Sequence, residues 1–342
     1  MTLVIGAGPA GLATAAMLRR HGLPVHLVDR DATIGGAYAK MDPALLMTSP
    51  AKLTALPGFA PTITAPYFTA AEYVAYLEAY AATHALVPER AIVESIRVSG
   101  PGYRVALRGA AEPLAVESIV VASGVFEHPR LPTFPGTPTV RIIHSAAWRN
   151  ELARPGMRIV VVGGATSAVE IAELAARAGC QVTIAARKVA LETKLFGLDP
   201  AFVTLPLLGH LRPRRFCHGT FSAPAGDRGF AALRRRGAIE VRREPVRIEG
   251  DVVELAGGHR CEADLVVLGT GYHHAAPFLP ADLARTRRGI AQTRRNESVS
   301  HRGIFVVGAP CARAAASQYL YGIARDAEAV ADTIAARSDG RG

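Results

Sequence analysis

Two glycine-rich turns carry the chemistry that can be read from the residues. The first, Gly6-Ala7-Gly8-Pro9-Ala10-Gly11, follows a short β-rich run, Thr2 to Ile5, and opens a helix predicted to reach about Arg20. Gly22 stops that helix, Val25 to Val28 forms the next strand, and Asp29 ends it. The spacing suits a dinucleotide. Gly6 permits the tight turn, Gly8 lets a pyrophosphate approach the backbone, and Gly11 lets helix and strand pack closely. Pro9 and Ala10 begin the helix, whose first amides and dipole favour phosphate charge. Asp29 stands where a carboxylate accepts hydrogen bonds from ribose hydroxyls, with Arg30 beside it.

The pattern recurs in mid-chain as a degenerate copy. Arg158 to Val162 reads as a strand, followed by Gly163-Gly164-Ala165-Thr166-Ser167-Ala168, a helix to about Arg177, Gly179, and a strand from Gln181 to Ala185. Ala165 and Ala168 occupy the second and third glycine positions, and the methyl of Ala165 narrows the phosphate approach. After the second strand come Ala186, Arg187 and Lys188, with no acid. Cations there suit a 2′-phosphate, so this site is expected to prefer NADPH to NADH.

Two such units in one chain restrict the reaction: one can hold FAD while the other delivers a nicotinamide to it. The elements that must position them imply an α/β fold with two Rossmann-like dinucleotide-binding domains, the NADPH domain inserted in the FAD domain. The expected boundaries are 1–147 and 269–342 for the FAD-binding domain and 148–268 for the NADPH-binding domain. After the insertion, Gly303 to Val307 is a predicted strand ending in Gly308, and Ala312 to Ala336 is an amphipathic helical stretch. Gly308 is expected near the other end of a bound FAD.

Composition agrees with a globular enzyme of two domain-sized units: 342 residues, 49% hydrophobic and 20% charged, which excludes global disorder. The net charge of +10 comes from four lysines and 35 arginines. Arginines cluster at Arg212, Arg214 and Arg215, at Arg234 to Arg236, and at Arg285, Arg287 and Arg288, but no nucleic-acid motif accompanies them, so no nucleic-acid partner is expected. Four widely spaced cysteines (Cys180, Cys217, Cys261, Cys311) give no support to a disulfide framework, a CxxC redox pair or a zinc site, and no metal is expected. The apolar start lacks a basic region and is broken by the glycines of the first turn. It is read as neither signal peptide nor membrane span, and a cytoplasmic location is expected.

Together these residues resemble the two-dinucleotide-binding-domain flavoproteins, and among them the NADPH-dependent flavin monooxygenases of class B. Beside the first turn, Ile34-Gly35-Gly36-Ala37-Tyr38 is similar to the family's second FAD contact. Ala122-Ser123-Gly124, with Phe126-Glu127-His128-Pro129-Arg130-Leu131-Pro132, resembles its domain-crossing segment, and Gly269-Thr270-Gly271-Tyr272 its ATGY element. The family signature FxGxxxHxxx with a following aromatic residue aligns with Pro138, Val140, His144 and Trp148, so the histidine and the aromatic match while the Phe and Gly positions do not. The resemblance gives His144 a part in coupling nicotinamide binding to domain motion; a structural histidine at a joint is the alternative. The loop Leu46 to Pro57 lacks the asparagine of the mammalian-type enzymes and is closer to the shorter bacterial and plant-type members. Thr48, Ser49 and Lys52 are its polar candidates beside the flavin. The thioredoxin-reductase branch needs the absent CxxC pair, and the glutathione-reductase branch needs a dimerisation domain for which the chain is too short.

The resemblance implies that NADPH reduces FAD, that reduced flavin and molecular oxygen form a C4a-(hydro)peroxide, and that one oxygen atom passes to a small substrate. The target is an amine, a sulfide, an enamine-like carbon or the bond beside a ketone. Leu191 to Gly229, irregular and proline-rich, is the candidate substrate segment, with Tyr67, Phe68, Gln318, Tyr319 and Tyr321. The alternatives are an NADPH-dependent flavin reductase passing electrons to a partner or quinone, an oxidase releasing hydrogen peroxide, and a non-catalytic nucleotide sensor. Whether two copies form a homodimer is left open.

Overall fold

Parallel strands joined by helices dominate the computed structural model, which describes residues 1–31, 33–192, 225–226, 228–274 and 276–340. Among them the chain divides into two compact units. The first takes Met1–Glu127 and the chain from His274 onward, and the second takes the chain between them. The candidate substrate segment falls almost wholly outside the described residues, including Leu195, Phe196, Phe202 to Leu208, Arg212, Arg214 and Arg215.

In the first unit, five parallel strands run in the order Ile304–Val306, Ser118–Val121, Thr2–Ile5, Val25–Asp29, Glu89–Arg90, and a hairpin, Thr293–Arg294 with Glu297–Ser298, extends one edge. The register sets Ile5 against both Val28 and Val121. Alternation then sorts the side chains by face. Val4, Val120 and Phe305 join one core with the helices Pro9–Arg20, Ala70–Thr83 and Leu320–Ser338. Leu3, Ile5, Ile119, Val121, Ile304 and Val306 join another with a three-stranded antiparallel meander, Val93–Ser99, Gly102–Leu107 and Leu114–Val116. Both faces are covered, as a parallel sheet requires.

The second unit repeats the plan. Its parallel strands run Ile239–Arg242, Gln181–Ala185, Arg158–Val162, Leu265–Leu268, Arg141–His144. Ile159, Val161 and Val267 face the helix Thr166–Arg177 and a short helix, Phe230–Arg235. Val160, Val162, Val266 and Leu268 face a meander of Pro245–Glu249, Val252–Leu255 and Arg260–Glu262. The fold is the expected α/β pair of Rossmann-like units.

The compact units meet at 127/128 and 273/274, and within the second Arg141–His144 pairs with Leu265–Leu268 and His128–Pro129 with Tyr272–His273. Two details differ from expectation. The final helix begins at Leu320, not near Ala312. The intervening residues form a loop that ends in a short 3-10 helix, Ala315–Gln318; Ser317 Oγ accepts from the amides of Arg313 and Ala314, and Cys311 has φ +56°. Lastly, Cys180 and Cys261 are free thiols but Cys311 is disulfide-bonded. Spacing along the chain gave no sign of that bond, since pairing depends on proximity in space.

Candidate functional site: two phosphate-binding turns

The first turn is built by close approach. Gly6 has φ +109°, and a Cβ there would lie 2.5 Å from the carbonyl oxygen of Ala122. A Cβ on Gly11 would lie 1.8 Å from the Gly6 carbonyl oxygen, so the helix starts directly against the end of its strand. Gly8 is the N-cap in extended conformation, Pro9 is the first helical residue, no side chain caps the helix and no acid lies in its first turn. The leading amides thus lack an internal acceptor and face outward as donors for an anion. A Cβ on Gly8 would meet nothing nearer than Gly36 Cα at 3.9 Å, leaving the space in front of the turn open.

Asp29 is held by two backbone donors: Ala7 N–H to Oδ2 at 2.8 Å and Asp31 N–H to Oδ1 at 2.9 Å. Each oxygen keeps a lone pair for a ribose hydroxyl. Around it, Arg30 pairs with Glu127, and Lys40 with Asp31, whose carboxyl is held below the usual range chiefly by the Lys40 hydrogen bond.

These groups line one cleft, partly open to solvent. Of the residues expected to bind cofactor, Gly6, Gly8, Pro9, Ala10, Asp29, Arg30, Gly36, Ala37, Tyr38, Ser123, Gly124 and Gly308 line it. Gly11 and Gly35 support it from behind, Gly35 N–H donating to Ala7 O at 3.1 Å. Residues that sequence reasoning missed are Asp31, Lys40, the apolar wall Ala91-Ile92-Val93, and Phe278. The apolar run after Arg90 was the only available signal for that wall. Open space before uncapped amides, a fixed carboxylate and an apolar wall together fit the pyrophosphate, ribose and base of a dinucleotide.

Thr48, Ser49 and Lys52 are not among the walls of this cleft. Ser49 is buried, whereas Thr48 and Lys52 are exposed. Of the substrate candidates, Gln318 lines the cleft, Phe68 packs on Tyr73 and Tyr76, and Tyr319 stacks on Tyr321 at 5.4 Å.

In the second unit, Gly163 has φ +122° and would bring a Cβ within 2.3 Å of Gly269 O. Ala165 caps the next helix in the same extended conformation as Gly8, again without a side-chain cap, and the partly exposed Thr166 and exposed Ser167 follow it. A Cβ on Gly164 would lie 2.1 Å from Lys188 O, and Ala190 N–H donates to Gly164 O at 2.7 Å. The chain after the second strand is thereby folded onto the phosphate-binding turn. Arg187 and Lys188 are exposed there, and no carboxylate among the described residues pairs with either.

His144 ends the edge strand of this unit, 6% exposed. Its Nδ1 accepts from Ala146 N–H at 3.1 Å, which leaves Nε2–H to donate to Gly271 O at 3.0 Å. Gly271 O also accepts from Arg130 N–H, Thr270 Oγ1 donates to Arg130 O, and the Tyr272 ring meets His144 edge-on at 4.9 Å. Burial lowers the pKa of His144, and burial raises that of the Tyr272 phenol. Both imidazole nitrogens are therefore engaged, Nε2 in holding the Gly269–Tyr272 turn and Nδ1 in capping the turn Ser145–Ala147.

Two predictions follow from the tight and open glycines and from the neutral histidine. Gly11→Ala should lower unfolding stability by about 3 kcal/mol, the upper range for overpacking. Gly8→Ala should leave the apoprotein within about 1 kcal/mol of wild type yet weaken FAD binding; denaturant midpoints and fluorescence titration measure the two. As pH falls through the ordinary histidine range near 6.5, the unfolded chain takes up a proton that folded His144 resists, so its contribution to stability is lost toward acid. His144→Gln should flatten that part of the stability–pH curve.

Residues 3–202 match the family described as pyridine nucleotide-disulphide oxidoreductase. Indole-3-pyruvate monooxygenase YUCCA1 of Oryza sativa subsp. japonica is 28% identical over 348 residues, covering 90% of this chain and 86% of that protein. In structure, a flavin-containing monooxygenase from Stenotrophomonas maltophilia superposes with a TM-score of 0.82 at 24% identity, covering 98% of each chain. A bacillithiol disulfide reductase (Bdr, YpdA) from Bacillus cereus gives 0.75 at 21%, covering 98% of this chain and 99% of that one. With residues 3–202, more than half its length, matched, the chain belongs to the pyridine nucleotide-disulphide oxidoreductase family and is similar along its length to flavin monooxygenases.

Proposed function

We propose that the chain is an FAD-dependent, NADPH-consuming monooxygenase that transfers one oxygen atom of molecular oxygen to a small organic substrate, at nitrogen, sulfur or carbon, or beside a ketone. One observation carries this: two uncapped glycine turns, one beside a fixed carboxylate and the other beside two cations that no carboxylate among the described residues pairs, on separate sheets of one chain. Similarity to indole-3-pyruvate monooxygenases over most of the chain supports the choice of reaction. FAD, when bound, supplies hydride acceptance and oxygen activation.

The chain's own residues do the rest. The amides after Gly8 hold the pyrophosphate, Asp29 orients the ribose, and the Ala91–Val93 wall excludes water from the base. In the second unit the amides after Ala165 hold the NADPH pyrophosphate, while Arg187 and Lys188 take the 2′-phosphate. His144 acts as a positioning residue for the turn Gly269–Tyr272. Thr48, Ser49 and Lys52 stay candidates for the flavin's surroundings. No described helix is long and apolar enough to cross a membrane, and a cytoplasmic location is part of the same proposal.

Structural likeness to a disulfide reductase supports a second reading, an NADPH-dependent flavin reductase or oxidase passing electrons to a partner, a quinone or oxygen. Turnover under ¹⁸O₂ with a panel of amines, sulfides and ketones separates the two. The monooxygenase reading expects one labelled atom in a product for each NADPH consumed. NADPH oxidation with all oxygen recovered as hydrogen peroxide, across the whole panel, would favour the second. Arg187→Ala should slow flavin reduction by NADPH about tenfold, the worth of one charge-assisted hydrogen bond, and leave reduction by NADH unchanged. Equal cofactor preference in both proteins would remove the 2′-phosphate role.

A further inference from the structure

Behind the loop that brings Gly308 and Gln318 to the cleft lies a polar cluster that the proposed chemistry does not use. Asn296 sits at the tip of the hairpin joining Thr293–Arg294 to Glu297–Ser298, where a polar side chain ordinarily faces water, yet it is 0% exposed. The two tip residues, Arg295 and Asn296, have φ +52° and +71°, a conformation that asparagine tolerates better than most residues. The Asn296 amide donates to Ala312 O at 2.9 Å, and its Nδ2 donates to Val306 O at 2.9 Å and to Asp326 Oδ2 at 3.0 Å. Its Oδ1 is buried without a hydrogen-bond partner among the described residues.

Asp326, from the helix Leu320–Ser338, is 2% exposed, and its Oδ1 lies 3.8 Å from the Arg313 guanidinium. Ser317 is fully buried, hydrogen-bonds Asp326, and accepts from the amides of Arg313 at 3.0 Å and Ala314 at 2.9 Å. Thr293 Oγ1 reaches Ala312 O at 2.8 Å. Apart from the Asn296–Asp326 bond, which ties the hairpin tip to the last helix, these bonds end on the loop between Gly308 and Tyr319 or on the strand that leads into it. A buried carboxylate and carboxamide are a poor way to gain stability, because their desolvation offsets most of what their contacts contribute. They are an effective way to fix one geometry, since a displaced loop leaves several buried groups unpaired at once.

We infer that Asn296, Asp326 and Ser317 form a positioning hub that fixes the Ala309–Gln318 loop against the nucleotide cleft and so sets how tightly, and in what surroundings, a flavin nucleotide is held there. The inference rests on the FAD reading of the cleft. It adds three residues, distant in sequence from either glycine-rich turn, that act on the cofactor through the loop.

The test compares wild type with Asn296→Gly, Ser317→Ala and Asp326→Asn. Asn296→Gly is the informative variant, because glycine keeps the left-handed tip and removes only the carboxamide. Each apoprotein is checked for cooperative melting and then titrated with FAD, following fluorescence and the shape of the visible bands. The hub predicts folded variants that bind FAD about tenfold more weakly, as expected when a buried hydrogen-bonding group loses its partner, with altered flavin bands. Folded variants with wild-type affinity and bands would overturn the hub alone. A wild-type protein that takes up no FAD would overturn the cofactor reading and the hub with it. Should Asp326→Asn fail to fold, the other two variants decide by the same criteria.

Discussion

A helix that starts directly on the end of a parallel strand has no room for a side-chain cap, and its first amides must find an acceptor outside the chain. That constraint organises this molecule twice. At Gly11 the approach is so close that a single methyl would collide with the carbonyl of Gly6, and in the second unit a methyl on Gly269 would lie 2.8 Å from Ala168 Cβ on the helix Thr166–Arg177. The same contact that packs helix on strand therefore exposes a row of unsatisfied donors at the carboxyl end of each sheet, where ligands of open α/β sheets bind.

From this follows the division of labour. Each unit stacks a helix layer on one face of its sheet and a three-stranded meander on the other, so both parallel sheets are buried and the turns are left on rigid supports. What distinguishes the units is the residue after the second strand. Asp29 accepts two backbone amides and is held ready for hydroxyls, whereas Arg187 and Lys188 stand unpaired among the described residues beside the second turn. Charge of opposite sign at equivalent places in two copies of one plan is a direct physical basis for binding two different dinucleotides.

Both turns and the strands that flank them were legible in the sequence because their signals are local: a β-rich run, glycines at fixed offsets, an apolar helix and a charged residue at the next strand end. The remainder depended on tertiary contact. Arg141–His144 reads from sequence as part of the first domain, and its pairing with Leu265–Leu268 is seen only in the fold. Ala312 to Tyr319 has a helical composition, but it forms only the short 3-10 turn Ala315–Gln318, capped by Ser317, and the α-helix waits until Leu320. Asp31, Lys40 and the Ala91–Val93 wall carry no motif of their own and belong to the cleft only because the parallel strands end beside one another. His144 is singled out by its resemblance to a family signature, but its engagement at both ring nitrogens could be seen only in the fold.

The central claim is that one chain holds FAD in the first unit and lets NADPH reach it from the second. It is tested most directly by loading the purified protein with FAD, adding NADPH in the absence of oxygen, and following the flavin absorbance by stopped flow before mixing with aerated buffer. The account predicts rapid bleaching with NADPH, slower bleaching with NADH, and a transient absorbing to the blue of oxidised flavin once oxygen is admitted. Flavin that stays oxidised under excess NADPH would contradict it.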